Sequence, residues 1–185
     1  MDLFLSIVFI IILLPVCFVI ALAIKMESGG EGSVFYKHIR VGKDGKQFTC
    51  FKFRSMKAGS DPNILPTDQD DKRITKVGKL IRKTSLDEIP QLLNVFIGNM
   101  SFVGPRPALP SQVEKFSKKG LDKLLVKPGI TGWTQVNGRN SLDYEKRMEM
   151  DSWYAKNWNI FLDIKILLKT PFVIFQQEGI YDASR

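Results

Sequence analysis

The stretch LFLSIVFIIILLPVCFVIALAI, Leu3 to Ile24, decides the architecture, because only Ser6 and Pro15 interrupt an apolar run of 22 residues. As a helix it would be about 33 Å long, enough to cross a bilayer core. A cleaved signal peptide is the competing reading, and Ala21-Leu22-Ala23 has cleavage-like spacing. The start at Met1-Asp2 has no basic n-region, however, and the run is long for a signal h-region. Pro15 cannot donate to the carbonyl of Ile11, so a kink is expected there. The pattern alone leaves open whether this kink bends a spanning helix or turns the chain back. Lys25 and the basic body after it are expected to stay on the cytoplasmic side.

Outward from the anchor, the chain divides at the glycine-rich connector Glu27 to Ser33. Residues 1–25 read as a membrane-embedded segment and 26–185 as one membrane-associated body, a size that suits a single domain. The formal charge of +8 is carried entirely by that body, since Asp2 and Lys25 cancel in the first 25 residues. A basic face toward nucleic acid, anionic lipid or a phosphorylated substrate follows. Zinc-finger, bZIP and RNP signatures are missing, which argues against nucleic acid. Cys17 and Cys50 form no disulfide framework, and one histidine, His38, excludes most hydrolase triads and histidine-based zinc sites. Any catalysis therefore falls to carboxylates and cations.

Val34 to Val41 and Gln47 to Phe53 read as strands joined by the Asp44-Gly45 turn. Lys52, Arg54 and Lys57 either face phosphate or headgroups or decorate a solvated edge. Ser60 to Asp71, with Pro62, Pro66 and four aspartates, reads as a surface loop. Thr75 to Lys83 has the spacing of a short basic helix. It leads to Arg82-Lys83-Thr84-Ser85-Leu86-Asp87-Glu88-Ile89-Pro90-Gln91. Ser85 with Glu88 fits a capping box, but Pro90 favours a helix start near Ile89 and Pro90, with Asp87 and Glu88 at its entrance. Taken locally, such a pair is most simply a set of helix-start acids.

After a short buried helix ended by Gly98, Pro105 and Pro107 restrict the backbone around Arg106 and suit it to oxyanion recognition. Ser111 to Val126 reads as one basic amphipathic helix weakened by Gly120, packed on the core or lying on the membrane. Lys127 to Trp133 and Val136 to Asn140 read as glycine-containing turns able to approach phosphate. Tyr144 to Phe175 is helical in pattern with a break near Pro171, and its aromatics beside cations favour a bilayer interface.

Taken in order, Phe35-Tyr36 with Arg40 and Gly42, Lys52-Phe53-Arg54-Ser55-Met56, Ser85 to Gln91, Asn99 to Pro107, and Lys127 to Trp133 with Asn137-Gly138-Arg139 closely resemble the bacterial sugar transferases known as monotopic phosphoglycosyl transferases. The resemblance runs from Leu14-Pro15 to about Thr170, and it is to the minimal members of that family. It implies an α+β fold: a re-entrant membrane helix hairpin broken at Pro15, then a small, mostly helical cytoplasmic domain with a β-hairpin and interfacial amphipathic helices. Leu14 departs from the serine that often precedes the family's proline.

The resemblance further implies transfer of a sugar 1-phosphate from a UDP-sugar to polyprenyl (undecaprenyl) phosphate at the bacterial inner membrane. UMP is released, and glycoconjugate assembly begins for later enzymes to extend. Asp87 would be the nucleophile and Glu88 its helper, the pair would be the Mg²⁺ ligands, and Arg82, Arg106 and Arg139 would bind phosphate. The alternative is a non-catalytic, membrane-anchored basic module that binds anionic lipid or partner proteins.

Overall fold

The computed structural model describes residues 2–57, 59–60 and 71–176. Most of the expected Ser60 to Asp71 loop lies outside them. Helix α1, Asp2–Glu27, is one continuous helix with Pro15 inside it, rather than two helices meeting at a break. Proline removes a single hydrogen bond, so helical turns can run on through it while the axis bends there. The helix is long and apolar enough to cross a membrane, and little of it is buried by protein.

Both halves of α1 nevertheless touch the body. Near its start, the Phe9 ring lies 5.7 Å from that of Phe102. Toward its end, Ile20 and Ile24 share a buried cluster with Phe53 and Ile81, closed by Val34, Val77, Leu86 and Ile89. Glu27 then accepts hydrogen bonds from the backbone N–H groups of Lys76 and Val77, at 2.6 and 2.9 Å. These open helix α2, Lys76–Lys83, where Thr75 caps the N–H of Gly78. A helix leaves its first N–H groups without internal partners, so this carboxylate couples the anchor to the body.

Strands β1 (Phe35–Val41) and β2 (Gln47–Phe53) pair antiparallel as the sequence predicts, with Tyr36 opposite Lys52, His38 opposite Cys50 and Arg40 opposite Phe48. Asp44 and Gly45 take the positive φ values, 57° and 73°, that the tight turn requires. Helix α3, Gln91–Ile97, lies against β2 and ends at Gly98 with φ 93°. Val95 and Met100 bury Phe48 and Cys50.

Asn94, fully buried, stitches α3 to the outer edge of β2. Its Oδ1 accepts from Phe51 N at 3.0 Å, and its Nδ2 donates to Thr49 O at 2.7 Å. Asn94→Leu strands two backbone groups at that edge, so unfolding in detergent is expected to become easier by about 2–4 kcal/mol.

Two expected segments are corrected here. Lys127 to Trp133 is not merely a turn, since β4 (Gly129–Thr131) runs parallel to β3 (Ser101–Val103). The approach is so close that a Cβ on Gly104 would collide with the carbonyl of Lys127. Ser111 to Val126 is not one helix but α4 (Pro110–Val113), α5 (Lys118–Asp122) and a 3-10 turn, Lys123–Leu125. Gly120 is seated against the Phe116 ring, and Lys123 leaves the basic face for the interior.

The last third breaks at Trp158 and Asn159, between α6 (Tyr144–Asn157) and α7 (Ile160–Gln176), while Pro171 is accommodated inside α7. Asp163 fixes that corner by accepting from Tyr154 Oη at 2.7 Å and Trp158 Nε1 at 3.0 Å. Val103, Val136, Tyr154 and Ile166 form the core beneath it. Phe161, Leu168, Phe172 and Phe175 of α7 point outward.

Candidate active site

The site is built on the 3-10 turn Leu86–Glu88, which follows α2 through Ser85 in the left-handed region at φ 57°. Ser85 makes no side-chain cap, so the capping box does not form. Pro90 instead precedes the first residue of α3, close to the expected start. Leu86 and Ile89 pack into the cluster on α1. The same turn holds Asp87 and Glu88 beside the hairpin, which gives the carboxylates a base seated on the membrane helix.

Lys52 Nζ lies 2.6 Å from Glu88 Oε1 and 3.9 Å from Asp87 Oδ2. Arg106 Nη2 donates to the same Glu88 oxygen at 3.2 Å. Behind them, Arg40 Nη1 donates to Pro107 O at 3.2 Å, and its Nη2 lies 3.4 Å from His38 Nδ1. Val41 N also donates to Ala108 O, at 2.9 Å. The hairpin thereby grips the segment on which Pro105 and Pro107 hold Arg106.

The two carboxylates are electrostatically unlike. Burial is the largest influence on both, but around Glu88 the charges of Lys52 and Arg106, and their hydrogen bonds, outweigh it and hold the group below the usual carboxylate range. At Asp87 burial prevails, with the Glu88 charge acting the same way, and it pushes the group upward against Lys52, Arg82 and Arg106.

Burial followed by the Arg106 charge brings Arg40 down to about 10. Burial, Arg40 and Lys52 bring His38 down to about 4, so this imidazole is neutral near pH 7. Arg139, at φ 51°, is lowered, because burial outweighs the opposing charge of Glu88.

Of the expected residues, Glu88 and Arg106 are joined by a hydrogen bond and Asp87 stands beside them, 3.9 Å from Lys52, while Arg82 and Arg139 add charge around the group. In the sequence Lys52 is one of three cations, with Arg54 and Lys57, at and just beyond the end of β2, and Tyr36, His38 and Arg40 carry no mark of a site one by one. The signal was strand period: Tyr36, His38 and Arg40 alternate on one face of β1, opposite Lys52, Cys50 and Phe48. Lys52, Arg106 and Arg40 outnumber the carboxylates, so the site retains attraction for an anion.

Among the described residues no group of three His, Cys, Asp or Glu side chains could hold a metal. Two carboxylates suit Mg²⁺ only where substrate phosphates complete the ligand set.

Comparisons with known proteins give the family. The family model described as "Bacterial sugar transferase" matches residues 1–177. The chain is 49% identical over 153 residues to "Uncharacterized sugar transferase EpsL" of Bacillus subtilis (strain 168), covering 82% of this chain and 74% of that protein. It is 44% identical to "Undecaprenyl-phosphate galactose phosphotransferase" of Salmonella typhimurium, covering 97% of this chain and 40% of that one. It is 42% identical to "UDP-glucose:undecaprenyl-phosphate glucose-1-phosphate transferase" of Escherichia coli (strain K12), again covering 97% and 40%. The chain thus spans two-fifths of the length of the latter two relatives. With the family match running from anchor to last helix, this chain belongs to the bacterial sugar transferases.

Proposed function

We propose that this chain transfers a sugar 1-phosphate from a UDP-sugar to a polyprenyl phosphate such as undecaprenyl phosphate, through a covalent intermediate on Asp87. The carrying observation is the buried Asp87 carboxylate beside Glu88, Lys52 and Arg106. The names of the Salmonella and Escherichia relatives supply the substrate class. An Asp87 oxygen forms a bond to the β-phosphorus, the bond from that phosphorus to the bridging oxygen breaks, and UMP leaves. An oxygen of the lipid phosphate then attacks the same phosphorus. The bond to Asp87 breaks, the carboxylate is restored, and polyprenyl diphosphate sugar is formed.

Glu88, held ionised, fixes Lys52 and Arg106 where the transferring phosphoryl group gathers charge. Arg82 and Arg139 add to the positive field around the diphosphate. Asp87 and Glu88 would hold Mg²⁺ together with the substrate phosphates, and the cation would neutralise charge on the diphosphate. Incubation with UDP-glucose or UDP-galactose and Mg²⁺ tests this reading by UMP release. Lipid binding with no UMP from any UDP-sugar would establish the non-catalytic module instead.

Residues 1–25 serve as the anchor, entering and leaving the bilayer on the cytoplasmic face, with 26–185 as the catalytic body. The support is contact of the body with both halves of α1, through Phe9 and through Ile20 and Ile24. The outward apolar row of α7 suits the lipid surface beside it. Single cysteines introduced at residues 2 and 60 are both expected to label from the cytoplasmic side. Labelling from opposite sides would overturn the re-entrant arrangement.

A further inference from the structure

The sequence between the two glycine-containing turns holds a side chain that the transfer reaction above does not use. Gln135, in the 3-10 turn Gln135–Asn137, is 9% exposed. Its Oε1 and Nε2 are both buried and find no hydrogen-bond partner among the described residues. Its neighbours are satisfied: Thr134 Oγ1 donates to Asp151 Oδ1 at 2.5 Å, and Asn137 Nδ2 donates to Trp133 O at 2.7 Å. An unpaired buried amide costs stability at both ends, so a donor–acceptor partner from outside the chain would relieve that cost.

Its position says which kind. A Cβ built on Gly132 would lie 2.7 Å from Gln135 Oε1 and closer still to the carbonyl of Gly104, so the amide oxygen borders the turn that leads through Pro105 to Arg106. In the other direction, Arg139 N donates to Thr134 O at 3.1 Å, so the Arg139 turn springs from the residue preceding Gln135. The amide therefore sits at the root of both arginine-bearing turns. Turning its side chain breaks no hydrogen bond within the described protein.

We infer that Gln135 is a substrate-binding residue that hydrogen-bonds the uracil base of the UDP-sugar. A primary amide offers one donor and one acceptor side by side. The imide edge of uracil returns an acceptor C=O and a donor N–H with the same spacing, and every UDP-sugar carries that edge. The inference rests on the UDP-sugar reading, and its test is separable from it. An acetamido group on the sugar has the same donor and acceptor and is the rival source.

The variants Gln135→Met and Gln135→Leu, in the full-length chain, replace the amide with apolar groups of similar size. Both are expected to raise KM for UDP-glucose and to weaken UMP binding by calorimetry, each by roughly 10-fold or more. Turnover at saturation should fall much less. Inhibition by ribose 5-phosphate, which lacks the base, should be unchanged, and the melting temperature should hold or rise because an orphan amide has gone.

Unchanged UMP affinity with a higher melting temperature would overturn the inference, leaving an unpaired or water-bound core amide. A loss confined to UDP-N-acetylglucosamine would overturn it in favour of the acetamido group. Wild-type protein that binds UMP through Gln135 but turns over no UDP-sugar would leave the base contact standing while the transferase reading fails.

Discussion

Asp87→Asn is expected to reduce UMP release from a UDP-sugar by about 10³- to 10⁶-fold, because the carboxamide cannot serve as the covalent acceptor of the phosphoryl group. The same change should not loosen the fold. Asp87 is raised above its ordinary range in the folded protein, chiefly by burial. A raised carboxyl contributes stability below its unfolded value, and that contribution is lost as pH climbs through the folded value. Near neutrality the ionised group therefore burdens the fold, and its replacement by an uncharged isostere should leave the melting temperature unchanged or raise it. Activity loss accompanied by unfolding would point instead to a structural role for Asp87. The pH profile of the wild type adds a second readout: UMP release should rise with pH as Asp87 gives up its proton, while Glu88, held low, stays ionised throughout.

Lys123→Met is expected to cause the largest stability loss away from the carboxylates, about 3–5 kcal/mol in chemical unfolding. Lys123 Nζ lies 2.7 Å from Asp151 Oδ2, with both side chains buried, and the other Asp151 oxygen accepts from Thr134. Removing the cation leaves an ionised carboxylate without a counter-charge inside the body, and desolvation of that charge dominates the cost. Lys123→Met with Asp151→Leu should recover much of the loss, because no stranded charge remains. Thr134 carries the root of the Gln135 and Arg139 turns, so the single variant should also weaken UMP binding. If it proved as stable as the wild type, the buried pair would not be what joins the Lys123–Leu125 turn to α6.

What the sequence disclosed followed local chemistry. The hairpin was legible because Asp44-Gly45 can adopt positive φ and the flanking strands alternate. The carboxylate turn was legible because Pro90 tolerates only a helix entrance. Long-range pairing was not. Gly129 to Thr131 reads as a turn on its own, and only the bare backbones of Gly104 and Gly129 let it run alongside Ser101 to Val103. Lys123 reads as one more surface lysine until Asp151, 28 residues later on α6, meets it. Lys52 was visible as a cation of β2, but its partner Glu88 is 36 residues away, and strand period alone could not choose between phosphate and solvent. At Pro15 the local signal is for a kink, and the helical assignment runs through it from Asp2 to Glu27.

The central claim is that the phosphosugar rests on Asp87 between the two halves of the reaction. The most direct measurement is intact-protein mass spectrometry after incubation with a UDP-sugar and Mg²⁺, with no polyprenyl phosphate present, followed by peptide mapping. The expected result is one sugar-phosphate adduct per chain on the peptide carrying Asp87. UMP should appear in equal amount, and both should vanish in Asp87→Asn. UMP release that occurs only when polyprenyl phosphate is added, with no adduct at any time, would show direct displacement between the two substrates and contradict the account.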